Sequence, residues 1–122
     1  MDHVFGGCNV DLVIDDASHL YEETKASFET AFPFLRPGGL YVIEDWGWAH
    51  WPGHINPGFE GPALSNLILE LVLAAASSPD IIAEVLVWPS VIIVRKAQAA
   101  PVGAPIRVDD LYTLRGRALT KI

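Results

Sequence analysis

Two pairs of adjacent carboxylates and one imidazole carry most of the chemistry that this 122-residue sequence offers. Asp15-Asp16 closes one short apolar run, Glu44-Asp45 closes another, and His19 follows Asp16 after a two-residue gap. If the two runs are neighbouring strands, all four acids meet at one sheet edge. Carboxylates that close repel, and they raise one another's pKa unless a cation joins them. Hard divalent cations with oxygen ligands, Mg²⁺ above all, suit such a cluster. His19, on a strand-to-helix turn, would point back over the acids, and its ordinary pKa makes it a natural proton acceptor near neutrality. The competing reading is structural, since acids at strand ends also cap helices and solvate loops. Asp15 alone reads that way. Two acidic pairs at equivalent strand ends, with a histidine beside them, favour a site.

The surrounding pattern is that of an α/β unit. Val10 to Asp15 is a short apolar run ended by acids, as expected of a buried parallel strand opening onto a site. Ser18 is a candidate helix cap. Thr24, Phe28, Ala31 or Phe32, and Leu35 then recur at helical spacing. Pro33 should break or tighten the last turn, and Pro37-Gly38-Gly39 should stop the helix and turn the chain. Leu40 to Ile43 is a second buried strand, which makes a right-handed βαβ unit. Trp46 to Gly61 is a long loop rich in Trp, His, Pro and Gly, and its aromatic content favours a functional loop. Trp46, Trp48 and Trp51 suit a sugar or a flat ring, with His50 on the substrate rim. His54 takes a plain loop or rim role, and His3 is a weaker candidate.

Pro62 suits the first turn of a helix running to about Ser77. Ile82 to Trp88 and Val91 to Arg95 read as an antiparallel hairpin whose second strand is central. Residues 1–96 therefore form one partial domain, and 97–122 read as a linker and short tail in which Asp109 caps a final helix.

Composition narrows the function. A formal charge of −7, with only 8 basic residues, argues against a nucleic-acid binder, which needs clustered Lys and Arg. The longest apolar stretch, Leu67 to Ala76, holds Glu70 and falls far short of the roughly 20 residues that span a bilayer. Cys8 is the sole cysteine, so nothing argues for an oxidising compartment. With no signal-peptide pattern, the expectation is a cytoplasmic protein.

Asp11 to His19, followed by Phe34 to Trp46 with its Pro-Gly-Gly and its second acidic pair, resembles the sugar O-methyltransferases of the macrocin and mycinamicin type. These have the class I S-adenosylmethionine-dependent methyltransferase fold. The resemblance covers roughly residues 10 to 96 and extends to the loop from Trp48 to Gly53. It implies that Asp16, Glu44 and Asp45 bind Mg²⁺, that His19 is the general base, and that Asp15 belongs to the cofactor site. Ala17 stands where the family usually has Gly. The resemblance further implies the carboxyl-terminal half of a Rossmann-like sheet, strands 4-5-7-6 with flanking helices. Nothing before Asp11 supplies the family's Gly-rich donor loop, because Gly6-Gly7 is too short and too near the amino terminus.

The expected function is thus a partial, Mg²⁺-assisted O-methyltransferase that uses S-adenosylmethionine on a hydroxyl of a sugar or similar diol, inactive on its own. A non-catalytic folded relic or association module is the alternative, and a metal-dependent hydrolase ranks third because no phosphate-binding nest adjoins the acids. Without the first three strands, Val10 to Asp15 becomes an unblunted edge. A homodimer, or pairing with an amino-terminal fragment through that edge, is expected.

Overall fold

A computed structural model describes residues 10–16, 19–52 and 61–122. The elements are β1 (Val10–Asp15), α1 (Tyr21–Ala31), β2 (Leu35–Glu44), α2 (Ser65–Ser77), β3 (Ile82–Val87) and β4 (Val91–Lys96). Single 3-10 turns lie at Phe32–Phe34, Trp48–His50 and Val108–Asp110. The sheet order is β1-β2-β4-β3, with β1 parallel to β2 and the other pairs antiparallel. This matches the expected arrangement, including the hairpin and its central second strand.

The boundaries differ from expectation for local reasons. The helical stripe of α1 buries Tyr21, Thr24, Phe28 and Ala31, but the helix stops short of Leu35. Pro33 has no amide hydrogen to continue the ladder, so the chain tightens into the 3-10 turn, and Leu35 opens β2 instead. The Ser18 cap lies outside the described residues. Leu20 holds the N-cap position without a side-chain bond, and Glu22 and Glu23 sit in the first turn, where the helix dipole favours negative charge. Pro37-Gly38-Gly39 falls inside β2, where the β1 register shifts between Val10 and Leu12. A Cβ on Gly39 would meet Arg36 O at 2.9 Å and Asp11 O at 3.2 Å, so this close backbone approach requires glycine. Helix α2 begins at Ser65 rather than Pro62, because Ala63 is engaged in a bridge with Leu20 and donates its amide to Ile122 O.

Side chains alternate across the strands, and here the two faces differ sharply. One face aligns Val13, Tyr41 and Val94 in one row and Asp15, Ile43 and Ile92 in the next. These apolar residues share a buried core with Phe28 of α1 and Leu67 and Leu71 of α2, and Phe28 meets Tyr41 edge-on at 4.9 Å. The opposite face carries Leu12, Ile14 and Leu86, exposed by 48, 49 and 39%, with Leu40, Val42 and Ile93 half-buried. The sheet is mixed, and parallel pairs such as β1–β2 are usually covered on both faces. Among the described residues this one is covered on one.

Residues 97–122, which composition suggested were linker and tail, fold back onto the body. Ala97, Ala100, Val108 and Leu111 are buried, and Ile122 exchanges hydrogen bonds with Ala63 and Asn66. The short final element is the 3-10 turn Val108–Asp110, with Arg107 rather than Asp109 at its N-cap. Glu70 ties this segment to both helices. Its carboxylate, 1% exposed, accepts from Tyr21 Oη at 2.7 Å, Lys25 Nζ at 3.2 Å and Tyr112 Oη at 2.8 Å. Lys25 also donates to Asp109 at 2.6 Å. No described helix is long and apolar enough to cross a membrane.

Candidate functional site

Asp15 pairs with Ile43 in the parallel register, so one residue further along each strand Asp16 comes level with Glu44. The two acidic pairs therefore leave the sheet side by side at its carboxyl-terminal edge, where open α/β sheets bind ligands. Alternation then divides the first pair. Asp15 shares the buried face, is 2% exposed, and accepts a hydrogen bond from Tyr41 Oη at 2.9 Å. Asp16 emerges into solvent.

Asp16, His19 and Asp45 converge, with one ligand atom from each lying within 4.8 Å of the others. Oxygen ligands at about 2.0–2.6 Å from a hard cation stand up to roughly 4–5 Å apart, so the spacing fits one ion. His19 Nε2 lies 3.4 Å from Asp45 Oδ2, and both side chains are about one-third exposed, at 29 and 35%. Glu44 stands beside this group. The charge of Asp16 pushes its pKa up, assisted by desolvation, a hydrogen bond with Asp16 and the charge of Asp45. Among the described residues no Lys or Arg forms an ion pair with Asp16, Glu44 or Asp45. The repulsion is unrelieved by protein cations, and a bound divalent ion would relieve it.

Two of the three converging residues have left-handed backbone, His19 at φ 61° and Asp45 at φ 57°. Asp and His tolerate this region better than most residues, yet such conformations persist only where the surroundings enforce them. Bends of this kind turn each side chain off its strand or helix axis and towards the other acids.

The expected aromatic surface is partly assembled. Trp48 lies with its ring 5.6 Å from that of His19, tilted by 34°, and Trp51 is 38% exposed. His50 Nε2 is 2.7 Å from Ser65 Oγ, which ties the loop to the start of α2. Trp46 differs from the other two. Its ring packs against the core, and its indole N–H donates to Trp88 O at 2.8 Å. His54 lies outside the described residues, as do His3 and Cys8. Residues 88–90, at the tip of the β3–β4 hairpin, were not singled out from sequence. The Pro89-Ser90 turn was visible, but nothing in the chain order signals that it lands beside Asp45.

No family model matches the chain. Over 43 residues it is 60% identical to demethylmacrocin O-methyltransferase of Streptomyces fradiae, covering 35% of this chain and 11% of that one. Over 62 residues it is 42% identical to L-olivosyl-oleandolide 3-O-methyltransferase of Streptomyces antibioticus, covering 51% of this chain and 16% of the relative. A solved structure of MycE, a methyltransferase of the mycinamycin biosynthetic pathway in complex with Mg, SAH and mycinamycin VI, superposes over 78% of this chain with a TM-score of 0.58 and 36% identity. Over the matched residues the chain is similar to a part of the macrocin and mycinamicin type of sugar O-methyltransferase. It spans 27% of the length of that solved methyltransferase. The mixed four-stranded sheet and its helices are this type's α/β architecture, on which Asp16, His19, Glu44 and Asp45 occupy two adjacent strand ends.

Proposed function

We propose that this chain supplies the metal-and-base portion of an S-adenosylmethionine-dependent, Mg²⁺-assisted O-methyltransferase acting on a hydroxyl of a sugar or similar small diol, and that it is inactive alone. The observation that carries the reading is the convergence of Asp16, His19 and Asp45, with Glu44 alongside and no protein cation among them. The relatives named above are sugar O-methyltransferases, and the solved one holds Mg and SAH.

Asp16, Glu44 and Asp45 would hold the ion. A divalent cation, when bound, lowers the pKa of a coordinated hydroxyl. His19 Nε2 would take the proton from the acceptor hydroxyl, and Asp45 Oδ2, 3.4 Å from the same nitrogen, would stabilise the imidazolium that forms. Trp48, beside the His19 ring, and Trp51 offer flat faces to the acceptor, with His50 at the rim. The oxygen so activated would attack the methyl carbon of the donor as its bond to the sulfonium sulfur breaks, the electron pair staying on sulfur and S-adenosylhomocysteine leaving. Holding the two reactants in line supplies much of the barrier reduction. Asp15, bonded to Tyr41 beneath this edge, holds the strand end from which Asp16 and the donor side of the site project. A phosphoryl-transfer reading would need cationic groups beside the acids, and the described residues provide none.

The partner follows from the sheet. Among the described residues β1 is an outer strand, and the uncovered face begins on it at Leu12 and Ile14. Crossovers between parallel strands are right-handed. The β1–α1–β2 crossover carries α1 on the buried face, so a parallel unit running outward from the free edge of β1 lays its helix on the other face. A complementary α/β portion would satisfy edge and face together, whereas a second copy paired through β1 satisfies only the edge.

Calorimetric titration of Mg²⁺, and separately of S-adenosylmethionine, into the purified chain tests the metal reading. Mg²⁺ binding that is lost in Asp16→Ala, without donor binding, is the expected result; no Mg²⁺ binding by the wild type overturns it. His19→Gln separates base from ligand, because unchanged Mg²⁺ affinity is expected of a base. Light scattering tests the partner surface. Self-association of the purified chain that Leu12→Lys with Ile14→Lys abolishes is expected of an open edge and face, and a monodisperse wild-type monomer contradicts pairing with a second copy.

A further inference from the structure

Asp45 holds its carboxylate close to Asp16 and His19 while its backbone sits at φ 57°. Locally it has the tolerance of aspartate for this region and one turn bond, from the Trp48 amide to Asp45 O at 3.2 Å. The remaining restraint comes from the far hairpin. The Asp45 amide donates to Ser90 O at 2.7 Å, and the indole N–H of the next residue, Trp46, donates to Trp88 O at 2.8 Å. Both acceptors lie on the β3–β4 turn, which is itself closed by hydrogen bonds between Trp88 and Val91 in both directions, at 2.8 and 3.3 Å. Pro89, between the two acceptors, has a fixed φ.

We infer that the Trp88-Pro89-Ser90 turn is a brace for Asp45, and that Trp46 is a positioning residue of the cation site acting through its indole N–H. The inference rests on the metal reading of Asp16, Glu44 and Asp45 given above. It assigns Trp46 a part distinct from that of Trp48 and Trp51: its ring is anchored against the core and its one polar atom is spent on the hairpin. Two hydrogen bonds on consecutive residues fix both the amide plane of Asp45 and the direction of the chain leaving it. Supporting groups that orient metal ligands typically change metal affinity by 10–100-fold when removed.

Trp46→Phe keeps an aromatic six-membered ring against the core and deletes the five-membered ring that carries the donor. Titrated with Mn²⁺ and followed by electron paramagnetic resonance, it should bind roughly ten-fold more weakly than wild type. Thermal unfolding should be little changed, and hydrogen exchange at the Asp45 amide should be faster. Trp88→Ala leaves the Trp88 carbonyl in place and should bind Mn²⁺ as wild type does. Should Trp46→Phe fail to fold, Pro89→Gly loosens the same turn without touching a ligand and should weaken Mn²⁺ binding in the same direction. Wild-type Mn²⁺ affinity in Trp46→Phe, or in Pro89→Gly where that variant replaces it, overturns the brace while leaving the metal reading intact. A wild-type chain that binds no Mn²⁺ removes both.

Discussion

Two acidic clusters in this molecule resolve the same electrostatic problem in opposite ways. On the helical layer, Glu70 is buried and meets three protein donors, Tyr21, Lys25 and Tyr112, with Asp109 on the far side of the lysine. At the carboxyl-terminal edge of the sheet, Asp16, Glu44 and Asp45 meet no Lys or Arg among the described residues, and only His19 stands near. A buried charge is tolerable when it is paired and fully hydrogen-bonded, so the first cluster is complete and joins three segments of chain. The second holds repelling groups on bent backbone, an arrangement that makes sense if something from outside completes it. The comparison teaches that acidity alone marks neither cluster as a site; the supply of protein donors separates them.

The largest effect should come from breaking the completed cluster. Glu70→Ala leaves two buried phenol hydroxyls without their acceptor and Lys25 with Asp109 as its remaining carboxylate, and should cost roughly 2–5 kcal/mol in urea unfolding. A loss below about 1 kcal/mol, the scale of one ordinary hydrogen bond, would show that the network does not secure the tail. Next comes Tyr112→Phe, which deletes one hydrogen bond to a carboxylate and should cost about 1–2 kcal/mol.

Tyr112 also sets a pH dependence. Burial, and then the hydrogen bond to Glu70, push its pKa up to about 12 from 10.0. The folded state therefore holds the proton more tightly than the unfolded chain. That contribution is fully present below pH 10 and is lost as pH rises towards 12. Tyr21, pushed up to about 12 by burial first, behaves alike, and Tyr112→Phe should flatten part of the fall in stability over that window. An unchanged slope would place the titration elsewhere.

The smallest effect should be at the open cluster. Asp16→Asn removes one of the repelling charges from an exposed position and should leave stability within about 0.5 kcal/mol of wild type, while the raised pKa of Glu44, whose first cause is Asp16, returns towards its ordinary range by NMR titration. A marked destabilisation would mean that Asp16 is structural, and the contrast between the clusters would collapse.

Much of this was legible before any coordinates. Period-two and helical spacing located β1, α1, β2, β3 and β4, because each element buries a defined stripe of its own side chains. The alternation that hides Asp15 and exposes Asp16 is equally a strand property, although composition treats the two acids alike. The end of α1 was read too late because Leu35 satisfies a helical stripe and a strand equally well, and only Pro33 arbitrates. Glu70 was noticed merely as a charge inside an apolar stretch. Its partners at positions 21, 25 and 112 are far away in sequence, and no local rule pairs them.

The sequence by itself determined the chemistry on offer: acids at two strand ends, a histidine in reach, aromatic residues downstream, and a resemblance that the sugar O-methyltransferases bear out. Those are local facts, set by residue type and spacing. Tertiary structure decided which acids face one another, that the hairpin tip reaches Asp45, that residues 97–122 close onto the helices, and that one apolar face is left open. Such outcomes depend on contacts between segments distant in sequence, whose geometry is fixed only when sheet register and helix packing are settled together.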